Sequence, residues 1–98
     1  MQIEDCRNEI DIIDTKIVHL LRRRAAISRR VGVIKAAAGL PVIDSGREDN
    51  VRKKAVRTGS GELSAESILR IYDEILAESQ KIQFEVYAGA KEKEQVCK

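Results

Sequence analysis

Residues 3–38 read IEDCRNEIDIIDTKIVHLLRRRAAISRRVGVIKAAA. Their apolar positions fall at Ile3, Cys6, Ile10, Ile13, Ile17 and Leu20, and resume at Ile27, Val31 and Ile34. Steps of three and four make a heptad seam, the pattern of a helix packed lengthwise on another helix. No proline intervenes before Pro41, and Gly39 supplies the stop. About 36 helical residues span ~54 Å. A compact chain of this size has a radius of gyration near ~13 Å, hence a diameter of ~30–35 Å. The helix overshoots the globule its own chain can make, so the seam predicts an obligate dimer.

Beyond this helix, Gly39–Ser45 reads as a loop. A short second helix is expected from Asp44 or Ser45, where SGRE has the capping-box form with Glu48 at the third position. Val51, Ala55 and Val56 give it a weak apolar face, and TGSG at 58–61 ends it. Ser64 is placed to cap a third helix with a seam of Ile68, Ile71, Tyr72, Ile75, Leu76, Ile82 and Val86. Gly89 is expected to begin its end. Residues 91–98, KEKEQVCK, read as a solvated tail or linker stub after a helical domain over 1–90. The fold class is therefore all-α: a long first helix, a short second and a long third, in an intertwined helical homodimer.

Composition agrees. Hydrophobic residues are 43% of the 98, aromatics only 3%, so the core is aliphatic. One proline and six glycines are too few turn residues for a sandwich or barrel. Charged residues reach 35%, yet 18 Lys and Arg against 16 Asp and Glu leave a net charge of +2. That balance excludes nucleic-acid binding by bulk charge. No stretch has the apolar length of a membrane span, and MQIEDCRNEI lacks the form of a secretory signal. Cys6, Cys97 and the single His19 make no metal-ligand spacing. The reading is a cytoplasmic protein with neither metal nor cofactor, and with no membrane partner.

Several polar residues occupy positions where the seams call for apolar ones. Arg24 interrupts the first seam between Leu20 and Ile27. An unpaired charge there costs several kcal/mol, unless the arginine sets the helix register or snorkels to water. Lys35, eleven residues on, returns to nearly the same angle, so the two cations flank ~16 Å of helix surface lined by Ile27, Ser28 and Val31. Gly32 in that patch either keeps the backbone accessible or admits a close helix. Ser79 and Gln83 continue the apolar side of the third helix, as satisfied core groups or as ligand contacts. Arg47 and Glu48 open the second helix, at a terminus that favours anions. Arg7 lies beside the first seam, ~25 Å from Arg24, and approaches it only in an antiparallel dimer. Together Arg7, Arg24, Lys35, Asp44, Arg47, Glu48, Ser79 and Gln83 suit a small polyanion held by fixed cations and neutral donors. They do not suit nucleophilic catalysis, since His19 is isolated from any Ser or Cys partner in the pattern.

In order and spacing, these residues resemble the all-helical (AroQ-type) chorismate mutases from about Ile3 to Tyr87. The resemblance rests on Arg7 with IDIIDTKIVHLLxRR, VGxIK at 31–35, PVIDxxRE at 41–48 and ESxxxQ at 78–83. It implies an intertwined dimer of three-helix chains with two shared sites. Arg7 then comes from the other subunit and Arg24 from the same one, both to substrate carboxylates. Lys35 and Gln83 meet the ether oxygen of the breaking bond. Glu48 and the backbone near Asp44 meet the ring hydroxyl, Arg47 and Ser79 complete the carboxylate and orientation contacts, and Val31 forms an apolar wall. Ser45, Gly46 and Ile43 depart from the family's loop pattern. The implied reaction is the [3,3] sigmatropic rearrangement of chorismate to prephenate, without a cofactor. Isochorismate-pyruvate lyase and 4-amino-4-deoxychorismate mutase are similar in fold, and the Asp44–Glu48 pair favours chorismate. A plain antiparallel helical dimerisation module leaves Arg24, Lys35, Ser79 and Gln83 without a reason to sit on core faces.

Overall fold

The computed structural model describes the backbone of residues 2–96 and the side chains of 2–90. It contains α1 (Ile3–Ala38), α2 (Ser45–Arg57) and α3 (Ala65–Val96), with no strand among the described residues. The expected long, short, long order is what folds.

The ends follow local chemistry. Gln2 N donates to Asp5 Oδ2 at 3.0 Å, and Glu4 and Asp5 place acidic charge in the first turn of α1, where the helix dipole favours it. Gly39 closes α1 in the left-handed region, φ 69°. Gly39 N donates to Ala36 O and Leu40 N to Lys35 O, at 3.3 and 2.9 Å, a Schellman closure that needs a residue without Cβ strain. The second helix is capped by Asp44 rather than Ser45: Asp44 Oδ1 accepts from Arg47 N at 3.0 Å. Asp and Ser cap about equally well, so the loop's entry into α2 decides between them, and the Asp44 carboxylate adds a favourable charge at this electropositive end. Ser64 caps α3 as expected, its Oγ accepting from Ser67 N at 3.1 Å.

The third helix does not end at Gly89 but continues to Val96. One glycine costs a helix only ~1 kcal/mol, and the residues after it include good helix formers. Cys97, Lys98 and the side chains of 91–96, where a solvated tail is expected, lie outside what is described.

Contacts between the long helices advance in the same direction along both of them. Ser28 meets Ser79, Arg29 meets Glu85, and Gly32 and Lys35 meet Gln83, so α1 and α3 run parallel. Between α2 and α3 the order reverses, Glu48 with Gln80 and Arg52 with Asp73, so α2 runs antiparallel to α3. The Arg52–Asp73 pair is 2.9 Å long, and its hydrogen bond raises the guanidinium pKa above the usual value. Thus α3 is the spine that positions α1 on one side and α2 on the other.

The chain is elongated, 65 × 27 × 15 Å, with a radius of gyration of 17.7 Å. Its accessible surface is 8130 Å², against ~5,600 Å² for a compact monomer of this mass. Among apolar residues only Val42 and Leu76 are buried, within the described part of the chain. Ile3, Ile10, Ile13, Ile17, Leu20, Ile27 and Ile34, the heptad seam, are 47–69% exposed. No described helix is long and apolar enough to cross a membrane.

Candidate active site

One cavity of about 360 Å³ opens where the second half of α1, the start of α2 and the middle of α3 converge. Arg24, Val31, Lys35, Asp44, Arg47, Glu48, Ser79 and Gln83 all line it. Eight of the nine residues singled out in the sequence are therefore brought together by a single chain.

The α1–α3 wall is built by close packing at Gly32. A Cβ there would stand 3.2 Å from Cα and Cγ of Gln83, so the glycine answers to close helix packing. That approach buries Gln83, 8% exposed, directly beside Lys35. Lys35 Nζ donates to Gln83 Oε1 at 3.0 Å and to Val42 O at 2.8 Å. Two of the ammonium's three N–H groups are thus occupied, and one remains for a ligand. By accepting through Oε1, Gln83 fixes its amide with the Nε2 donors available. Two nitrogen donors from different helices converge on one end of the cavity.

Arg24 is held at the other end. Its Nη1 donates to Ser79 Oγ, which also accepts from the buried Ser28 Oγ at 3.1 Å. With its oxygen accepting twice, the Ser79 hydroxyl retains its own proton as a donor. The Arg24 charge, only partly buried, is satisfied by this relay rather than by a carboxylate, which leaves its remaining N–H groups for an external anion.

The third side is the first turn of α2. Asp44 caps the helix, Arg47 stands exposed at the rim, and Glu48 accepts from Gln80 Nε2. The lining thus carries three cations, Arg24, Lys35 and Arg47, against two carboxylates, Asp44 and Glu48. Val31, Leu76, Val51 and Ile27 complete it with apolar surface. Such a cavity fits a small ligand that carries negative charge and some apolar surface. No histidine, cysteine or glycine-rich loop lines it, so it is equipped to bind and polarise rather than to attack.

Arg7 lies elsewhere. It sits in the exposed N-terminal half of α1, with Nη1 3.0 Å from Glu4 Oε1. Sequence reasoning did not single out Gln80, which reads as an ordinary polar helix residue, nor the Val42 carbonyl, which carries no side-chain signal. The spacing of Gln80 three residues before Gln83, on the same side of α3, was the available clue. Beyond the Arg24–Ser79 bond, a larger apolar groove of about 450 Å³ follows Val18, Leu21, Ala25, Ile75 and Ile82 along α1 and α3. Arg22, Arg24, Glu74, Glu78 and Ser79 border it, but its surface is mostly apolar.

Comparison with known proteins identifies relatives of the fold. A family model described as chorismate mutase type II matches residues 6–84. Over 80 residues the chain is 35% identical to the bifunctional chorismate mutase/prephenate dehydratase of Aquifex aeolicus, covering 78% of this chain and 22% of that protein. It thus spans under a quarter of that relative's length. Over 83 residues it is 28% identical to the 4-amino-4-deoxychorismate mutase of Streptomyces venezuelae, covering 84% and 81% respectively. The crystal structure of chorismate mutase from Helicobacter pylori in complex with prephenate superposes with a TM-score of 0.77 at 27% identity, covering 86% of this chain and 91% of that one. With the family model spanning most of the helical unit, this chain belongs to the chorismate mutase type II family.

Proposed function

We propose that the chain is a chorismate mutase of the cytoplasm that converts chorismate to prephenate. The observation that carries this reading is the convergence of Lys35 Nζ and Gln83, 3.0 Å apart, on a cavity whose opposite wall carries Arg24. The reaction breaks a C–O bond and forms a C–C bond within one molecule, and it needs neither proton transfer nor cofactor. What a protein supplies is restriction of the flexible diacid to its reactive chair-like conformer. It also supplies donors fixed in advance at the ether oxygen, where negative charge develops. Lys35 and Gln83 serve as those donors. Arg24 and Arg47 hold carboxylates, Ser79 orients one of them, Glu48 and the Asp44 backbone meet the ring hydroxyl, and Val31 packs on the ring.

The working unit in this reading is a homodimer. The chain exposes about 2,500 Å² more than a compact monomer would, scaled from its mass, and that is a fitting area for an obligate interface. The exposed seam of α1 and the apolar groove along α1 and α3 are its natural contacts. In such a dimer Arg7 of a second copy completes the carboxylate end of the cavity.

The test is to mix the purified protein with chorismate and follow the loss of its ultraviolet absorbance, identifying the product. Prephenate is expected. Inertness towards chorismate, with turnover of isochorismate or 4-amino-4-deoxychorismate instead, would contradict the assignment.

A further inference from the structure

Gln80 lines the cavity and has no part in the chemistry above. It stands on α3 between Ser79 and Gln83 and reaches across to α2, where its Nε2 donates to Glu48 Oε1. The next side-chain link between these helices, Arg52 with Asp73, lies farther along α2. Gln80 therefore governs how the Glu48 carboxylate is presented.

A carboxylate has two oxygens and about four acceptor sites. A neutral amide on Oε1 takes part of that capacity without cancelling the charge, and it leaves Oε2 for a ligand. A ring hydroxyl brings one donor and no charge, which one oxygen satisfies. A ring ammonium brings three donors and a full positive charge into a cavity where three cations, Arg24, Lys35 and Arg47, already outnumber two carboxylates, Asp44 and Glu48, the first of them engaged in capping α2. It needs more acceptors and more negative charge than a half-occupied Glu48 offers.

We propose that Gln80 is a specificity-determining residue: acting through Glu48, it sets the cavity for a ring hydroxyl against a ring ammonium. This rests on the chorismate reading of the site and on Glu48 meeting the ring substituent. The residue is a positioning group, not a catalytic one, because its partner is Glu48.

The experiment measures kcat/KM for chorismate and for 4-amino-4-deoxychorismate in the wild type, Gln80→Met and Gln80→Glu. Methionine keeps the shape and removes the donor; glutamate replaces the donor with a second carboxyl. The ratio of amino to hydroxy substrate should rise about tenfold in Gln80→Met, the scale of one hydrogen bond to a charged group. It should rise further in Gln80→Glu. There the ratio should also climb with pH, because two adjacent carboxyls share a proton and the second ionises late. A residue that merely packs α2 on α3 would lower both substrates by the same factor. An unchanged ratio in folded Gln80→Met overturns the inference even if Gln80→Glu fails to fold, with circular dichroism melts reporting folding. A wild type that consumes chorismate beside such an unchanged ratio confines the failure to Gln80. A wild type inert towards both substrates overturns the chorismate reading and this inference with it.

Discussion

Gly32 lies so close to Gln83 that a Cβ on the glycine would stand 3.2 Å from the glutamine's Cα. Replacing Gly32 with alanine should therefore separate stability from activity. Alanine favours the helix by ~1 kcal/mol, while crowding the α1–α3 contact costs about 1–3 kcal/mol. The net loss of unfolding free energy should lie between about zero and about 2 kcal/mol. Activity should fall by about tenfold or more, because donors at a reacting atom tolerate little displacement. Chemical denaturation beside steady-state kinetics checks both halves; a stable variant with undiminished kcat would show that this contact does not position Gln83.

Lys35 and Gln83 are expected to act on the same oxygen. Lys35→Ala and Gln83→Ala should each reduce kcat by about 10²–10³, the usual loss of one such donor. Both should leave the melting temperature far less affected than the rate.

The pH dependence follows from the lining. No histidine faces the cavity, and a glutamine amide has no titratable proton. The rate should be flat from about pH 6 to about pH 8, where histidine alone would ordinarily titrate. Gln83→Glu should break this. A protonated carboxyl donates to the ether oxygen and an ionised one repels it, so the variant's rate should fall as pH rises. Initial rates across that range distinguish the two profiles.

Asp44 has a structural duty that substitution should expose. Asp44→Ala removes the side-chain oxygen that receives Arg47 N and should cost about 1 kcal/mol of stability. Because the freed turn carries Arg47 and Glu48, KM should rise as well. Asp44→Asn, which keeps the acceptor oxygen, should recover most of the stability. Thermal melts of the two variants measure the difference.

Much of the site was legible because it violates the pattern that builds the fold. Arg24, Lys35, Ser79 and Gln83 stand out against apolar seams, and a polar group on a packed face requires a partner. Gly39 and Ser64 were legible because helix ends have specific chemistry. Other features gave weaker signals. Asp44 and Ser45 are both competent caps, and the choice depends on how the loop enters α2. Gln80 sits among polar neighbours, Ser79 and Lys81, so composition does not distinguish it. The Val42 carbonyl contributes through position, which no side-chain identity reports. The extension of α3 past Gly89 reflects a small cost outweighed by helix-forming neighbours. Arg7 does not join the cavity: the fold leaves it in an exposed ion pair with Glu4, and its proposed role depends on a second chain.

The shared site is best tested by complementation. Arg7→Ala and Arg24→Ala should each abolish activity as separate homodimers. When the two are mixed and allowed to exchange subunits, half the dimers become heterodimers, each with one site retaining both arginines. About a quarter of the wild-type activity should return, as two-fold symmetry requires. Exchange verified by mass tagging, with no recovery of chorismate turnover, would contradict a site built from two chains.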